Sequence, residues 1–192
     1  MQQAVYEFVE VCAQTLPFKG PLFEFGAFQA GEKPIDDLRP LFPNIEYVGC
    51  DMREGKGVDR ILNLHALDLP DQSVSSALCI DTLEHVEYPR KAVEEIRRVL
   101  DVDGFAVFSS VFEFPIHGYP DDYWRFTPNG LRSLLQNFAI AVVGAIGRSP
   151  LSPQVVVGVG FKTEDFYLDE FKKRLDKWER RNNKIIEVMT SS

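Results

Sequence analysis

The sequence predicts a three-layer α/β domain on a mostly parallel sheet, and two observations carry that expectation. Apolar runs of strand length alternate with stretches of helical spacing, and the runs are apolar throughout, as in strands covered on both faces. Near the end, the runs 139–146 and 155–161 are separated only by a stretch holding Pro150 and Pro153. With no helix between them, they predict an antiparallel pair at one edge.

The elements follow in order. Residues 5–16 have helical spacing, with Val5, Phe8, Val9, Cys12 and Leu16 on one side and Pro17 as the stop. Residues 21–25 form a short buried strand that meets Gly26. A helix is expected over 35–42, broken by Pro40 or Pro43. Strands are expected at 45–50, ending at Asp51, more weakly at 60–64, and at 76–80, ending at Asp81. Residues 89–100 read as an amphipathic helix: Ala92, Val93, Ile96, Val99 and Leu100 face in, while Glu94, Glu95, Arg97 and Arg98 face out. Asp103-Gly104 turns the chain into a strand at 105–110. Thr127-Pro128 places an N-cap before a first-turn proline. A charged helix over 165–188 closes the chain.

The 192 residues suit one domain, with an N-terminal helix in 1–20, a core in 21–162 and a C-terminal helix in 163–192. A net charge of −8 without a basic stripe argues against nucleic acid and against an anionic membrane surface. No apolar run approaches the ~20 residues of a membrane-spanning helix, and residues 1–10, with Glu7 and Glu10, lack the order of a signal peptide. Cys12, Cys50 and Cys79 are widely spaced among apolar neighbours. They are expected as reduced core residues of a cytoplasmic protein, with no metal cluster.

In an open α/β sheet, ligands bind beyond the carboxyl ends of the strands, where strand order reverses. The residues expected at those ends are polar or small: Glu24 to Ala27, Asp51, His65 with Ala66, Asp81 followed by Thr82-Leu83-Glu84-His85, and the segment 111–126. Gly26 and Ala27 permit close backbone approach. Asp51 lies about 20 residues after Gly31, the spacing at which a carboxylate accepts from both hydroxyls of a nucleotide ribose.

The stretches from Leu67-Asp-Leu-Pro-Asp-Gln-Ser-Val74, through Ala77-Leu-Cys-Ile-Asp-Thr-Leu-Glu-His-Val86, to Ala92-Val-Glu-Glu-Ile-Arg-Arg-Val-Leu100 and Gly104 resemble the Rossmann-like (class I) S-adenosylmethionine-dependent methyltransferases of the type 11 group. The resemblance implies a seven-stranded, mostly parallel sheet whose last strand is antiparallel. It implies S-adenosylmethionine as cofactor, with Glu24, Gly26, Ala27 and Phe28 near its methionine part. Asp51 would hold the ribose, Met52 the adenine, His65 and Ala66 the adenine edge, and Asp81 and Leu83 would lie beneath. The family's three-glycine first motif is here reduced, with Phe28 and Ala30 at its second and third positions. That turn also disfavours a nicotinamide dinucleotide, whose pyrophosphate needs the glycines.

Segment 112–127 is expected to form the acceptor side. Methyl transfer to a hydroxyl needs a nucleophile aligned with the methyl group and a base for its proton. His117, His85 and Asp122 are the candidate catalytic groups. Tyr123 and Trp124 offer an aromatic wall, and Arg125 a partner for an anionic acceptor or for Asp122. The leading expectation is a methyltransferase (EC 2.1.1.-) acting on oxygen or nitrogen of a small-molecule or glycan-like acceptor. The alternative is an inactive cofactor-binding or scaffold protein. The last helix either docks on the domain or forms a homodimer contact.

Overall fold

The computed structural model describes residues 1–31, 33–118, 120–164 and 166–190, with side chains described through Asn183. The order is α1 (Gln3–Thr15), β1 (Leu22–Phe25), β2 (Tyr47–Asp51), β3 (Arg60–Ile61), β4 (Val74–Cys79), α2 (Pro89–Val99), β5 (Leu100–Val111), α3 (Pro128–Leu134), β6 (Ile140–Ser149), β7 (Ser152–Phe161) and α4 (Asp169–Thr190). The strands form one seven-stranded sheet in the order β3-β2-β1-β4-β5-β7-β6. Strands β1 to β5 run parallel, and β7 is antiparallel to both β5 and β6. Strand order reverses between β1 and β4, so the ligand-binding switch point lies where Gly26 and Asp81 leave the sheet.

Side-chain alternation divides the core into two layers. Ala77, Cys79, Ala106 and Phe108 point to the face covered by α2 and α3, with Val93, Ile96 and Leu131. Leu78, Ile80, Phe105 and Val107 point to the other face, against Val5, Phe8 and Val9 of α1 and Phe171, Leu175 and Trp178 of α4. The cap of α3 forms as its sequence dictates: Gly130 N–H donates to Thr127 Oγ1 at 3.0 Å, with Pro128 in the first turn.

Three expectations change. β5 begins at Leu100, directly after α2, so Asp103-Gly104 lie within the strand instead of in a turn before it. In place of a helix over 35–42 there are two single 3₁₀ turns, Pro34–Asp36 and Arg39–Leu41. Pro40 lacks the N–H that a continuous helix would donate to Asp36 O, whereas Pro34 only opens the first turn. The strand expected over 60–64 shrinks to Arg60–Ile61, both exposed at the sheet edge, where β2 alone pairs with them.

The closing helix begins at Asp169, and Asp165 lies outside the described residues. Its described apolar side chains dock on the domain. Trp178 packs on Phe8 at 5.5 Å between ring centroids and donates its indole N–H to Ala4 O at 2.8 Å. The side chains of Ile185 and Ile186 lie outside the described set. All three cysteines are free and buried. Among the described residues, no helix is long and apolar enough to cross a membrane.

Candidate functional site

The carboxyl tips of β1, β2, β4 and β5 meet at one rim. At the tip of β1, the N–H groups of Gly26 and Ala27 both donate to Cys50 O, at 2.8 and 2.9 Å. This draws the turn across β2. Gly26 has φ +87°, and a Cβ there would stand 2.0 Å from Thr82 Oγ1, so only glycine fits beside the Asp81–His85 turn. Below it, buried Glu24 accepts from the Tyr47 hydroxyl at 2.7 Å. Burial lifts the Glu24 carboxyl to about 7, and the Tyr47 hydrogen bond opposes the rise.

At the tip of β2, Asp51 Oδ1 accepts from the backbone N–H of Arg53 at 2.9 Å and from its Nε at 3.3 Å. The Arg53 guanidinium lies 4.3 Å over the ring of Phe28. Phe28 in turn covers Gly55, where an added Cβ would come within 2.4 Å of the ring. Phe28 therefore leans toward β2 with Arg53 above it, and Met52 beside them is 64% exposed. His65 and Ala66 sit on a turn held by Asn63, and His65 Nε2 accepts from Tyr88 N at 3.2 Å.

The donor set is of a kind a nucleoside could use: the Asp51 carboxylate stands at a strand tip, its partner Arg53 is exposed, and the Gly26 backbone bears no Cβ.

At the tip of β4, Asp81 adopts φ +47°. Its N–H donates to Ser109 Oγ at 2.9 Å, and that hydroxyl donates to Asp81 Oδ1 at 2.6 Å. Two residues on, Leu83 is fully buried and Glu84 carries its carboxylate into the interior, where Ser110 Oγ donates to Oε2 at 2.6 Å. Burial raises the pKa of both acids, and the neighbouring Asp81 charge raises that of Glu84 further. Glu84 Oε1 has no hydrogen-bond partner among the described residues.

Segment 112–127 is stitched onto this turn. Tyr123 N and Trp124 N both donate to Glu84 O at 2.8 and 3.1 Å, and Trp124 Nε1 donates to Glu87 O at 3.2 Å. The rings of His85 and His117 meet edge to face at 4.7 Å, and His117 stacks similarly on Phe114 at 4.9 Å. His117 Nδ1 lies 3.1 Å from Pro115 O and 3.4 Å from Asp122 Oδ2, while His85 Nδ1 contacts Asp121 O. Arg125 grips Asp122 through both terminal nitrogens and also donates to Phe114 O and Pro115 O. The guanidinium holds the Asp122 carboxyl well below the usual carboxylate range.

The structure thus gathers His85, His117, Asp122, Tyr123, Trp124 and Arg125 into one group, and leaves His65 on the separate Tyr88 contact. Asp122 is committed to Arg125 and to the backbone N–H of His117, at 2.7 Å. Three residues given no role from the sequence stand at the centre: Glu84, which the sequence placed at the rim, and Ser109 and Ser110, which it did not. Glu84 was visible inside the Leu-Glu-His-Val run, and adjacent serines in an apolar strand were the other signal. Glu84, His85 and His117 also bring ligand atoms within 4.8 Å of one another, a grouping that the histidine spacing did not announce. Two surface hollows open at the opposite, amino-terminal rim, around Pro17 and Phe18 and around Lys19 and Asp103, away from this chemistry.

Residues 44–108 match the methyltransferase domain family. No curated protein sequence matches. Solved structures share the fold at low identity. A Thermotoga maritima S-adenosylmethionine-dependent methyltransferase, described as a possible histamine N-methyltransferase, is 22% identical with a TM-score of 0.58, covering 83% of this chain and 92% of its own. The Burkholderia thailandensis 1,6-didemethyltoxoflavin-N1-methyltransferase, solved with its substrate and S-adenosylhomocysteine, is 20% identical with a TM-score of 0.62, covering 84% and 79%. The [4+2]-cyclase SpnF is 14% identical with a TM-score of 0.62, covering 82% and 80%.

Proposed function

We propose that this chain is a class I S-adenosylmethionine-dependent methyltransferase that methylates an oxygen or nitrogen of a small-molecule or glycan-like acceptor, a reading supported by the match of residues 44–108 and by the sheet order. The observation that carries the reading is the convergence of the ribose-type carboxylate Asp51, the Cβ-free turn at Gly26 and the buried Asp81–Glu84 turn on one rim, beside a histidine- and aromatic-lined segment.

When bound, S-adenosylmethionine supplies an electrophilic methyl group on a sulfonium. The chain's own residues hold the partners. Asp51 would accept from the ribose hydroxyls, Met52 would pack on the adenine, and His65 and Ala66 would border its edge. Glu24, Gly26, Ala27 and Phe28 would line the methionine side, with Asp81 beneath and Leu83 buried behind it. On the acceptor side, the contacts of His117 Nδ1 with Pro115 O and Asp122 keep a proton there and leave the Nε2 lone pair to take the acceptor's proton. Asp122 orients His117, and His85 supports it from its edge. Tyr123 and Trp124, 46% and 45% exposed, present flat faces suited to a sugar or heteroaromatic ring. The net charge of −8 argues against a nucleic-acid acceptor. Burial of the described apolar face of α4 against α1 favours a protomer that needs no helix-mediated dimer.

Calorimetric titration with S-adenosylhomocysteine tests the first half, with a roughly micromolar Kd expected. Transfer of labelled methyl to a panel of saccharides and small hydroxyl or amine compounds tests the second. A folded sample that ignores the nucleoside would end the proposal. A second reading, a binding protein without methyl transfer, is favoured by Phe28 and Arg53 over the ribose corner. It predicts nucleoside binding with no methylated product.

A further inference from the structure

We propose that Glu84, His85 and His117 form a binding site for a divalent transition-metal ion, of the kind that zinc occupies with two imidazoles and one carboxylate. Ligand atoms from the three residues lie within 4.8 Å of one another. Glu84 Oε1 and His117 Nε2 are 3.9 Å apart. Around an ion at zinc-like bond lengths, neighbouring ligand atoms stand about 3.3 Å apart.

Three independent features point to a ligand here. First, Glu84 has a fully buried side chain, yet Oε1 finds no hydrogen-bond partner among the described residues. A buried carboxylate oxygen without a partner is costly, and a cation is the group that best satisfies it. Its sister oxygen is held by Ser110 at 2.6 Å, which fixes the direction in which Oε1 points.

Second, both imidazoles are tied through Nδ1 to oxygen: His85 to Asp121 O, and His117 to Pro115 O at 3.1 Å with Asp122 Oδ2 at 3.4 Å. Metal-ligating histidines are held in this way, because a proton on Nδ1 donated to oxygen fixes the ring and leaves the Nε2 lone pair for the ion. The outer shell is itself built, since Arg125 locks Asp122 from two sides.

Third, the segment carrying His117 is brought to the Glu84 turn by backbone bonds from Tyr123 and Trp124 to Glu84 O at 2.8 and 3.1 Å. The two histidines approach through a turn at Gly118, φ +64°, where a Cβ would come within 2.9 Å of His85 Cε1. Side-chain contact and main-chain architecture thus serve the same meeting point.

Two imidazoles and one carboxylate leave coordination positions open, the composition of sites that bind a reacting oxygen rather than merely brace a fold. The metal site stands without the methyl-transfer reading. Its use does rest on that reading: an ion here would hold and acidify an acceptor oxygen in place of His117 acting as base.

The test uses the full chain stripped with EDTA and titrated with Co²⁺, with neither nucleoside nor acceptor present. The expected result is one Co²⁺ per chain, visible d–d absorption typical of four- or five-coordinate cobalt, and displacement by Zn²⁺. Glu84→Gln, isosteric and able to keep the Ser110 contact, and His117→Ala, on the surface segment, should each weaken binding about tenfold or more. His65→Ala should leave it unchanged. Circular dichroism reports whether each variant is folded. A folded wild-type chain with no cobalt spectrum would overturn the proposal, as would binding that both Glu84→Gln and His117→Ala retain in full. Nucleoside binding without metal binding would sink this inference alone. Metal binding without nucleoside binding would sink only the methyltransferase reading.

Discussion

Arg53 and Phe28 form a stacked pair beside Asp51, with the guanidinium 4.3 Å above the ring while its Nε stays 3.3 Å from the Asp51 carboxylate. On the proposed nucleoside reading, Arg53 would compete with the ligand for that carboxylate. Arg53 is 68% exposed on its side chain, and such an ion pair is worth at most about 1 kcal/mol. Arg53→Ala should therefore tighten S-adenosylhomocysteine binding by up to about fivefold. Asp51→Asn should weaken it about tenfold, since hydrogen bonds to a charged group are lost. Calorimetry on the two variants checks the opposite signs.

Gly26→Ala should destabilise the fold by about 2 kcal/mol or more, from a Cβ 2.0 Å from Thr82 Oγ1 and a left-handed backbone. Pairing it with Thr82→Ala removes the two tightest contacts, Oγ1 at 2.0 Å and Cγ2 at 2.7 Å, and leaves the 2.9 Å contact with the residue 82 Cβ and the backbone cost of about 1 kcal/mol. Chemical denaturation of the single and double variants separates the two contributions. Strictly additive losses would refute the contact.

Glu24 gives the domain a defined pH response. Its carboxyl titrates at about 7 in the folded protein and at its ordinary 4.5 when unfolded. Between those values the folded state holds the extra proton, so stability falls as pH rises through the window and is greatest below pH 4.5 for this group. The full difference is about 3 kcal/mol at 1.36 kcal/mol per tenfold. Glu24→Gln should flatten this slope between pH 4.5 and 7, measured as unfolding free energy against pH.

Arg125→Ala leaves the Asp122 side chain, 1% exposed, without its two-pronged partner. Removing one member of a buried pair costs about 3 kcal/mol, here concentrated in segment 112–127. Faster limited proteolysis of that segment is expected ahead of any loss of the sheet. Arg125→Lys should restore little, because an ammonium cannot make the fork or reach Phe114 O and Pro115 O together.

The sheet was legible because its strands are apolar on both faces, and the late antiparallel pair because no helix separates 139–146 from 155–161. The helix expected over 35–42 gave way to two short turns because Pro40, one of its two expected breakers, sits inside it and cannot donate the bond that would join them. The site was legible residue by residue at the strand tips, since topology alone sends those positions to one rim. Its centre was less so. Glu84 reads as the polar face of a short turn until Ser110, 26 residues later, is brought beneath it. His85 and His117 are 32 positions apart, and it is long-range hydrogen bonds, from the Tyr123-Trp124 backbone to the Glu84 carbonyl, between His85 and Asp121 O, and from the Trp124 indole to Glu87 O, that bring their rings together.

The indole of Trp178 reaches the carbonyl of Ala4 across 174 positions of sequence. One layer of the sandwich is thus shared between the two ends of the chain, so Phe8 and Val9 stay uncovered until the final helix has been synthesised. Loss of residues from 169 onward would expose an apolar strip on an otherwise formed sheet, and the resulting species would tend to aggregate.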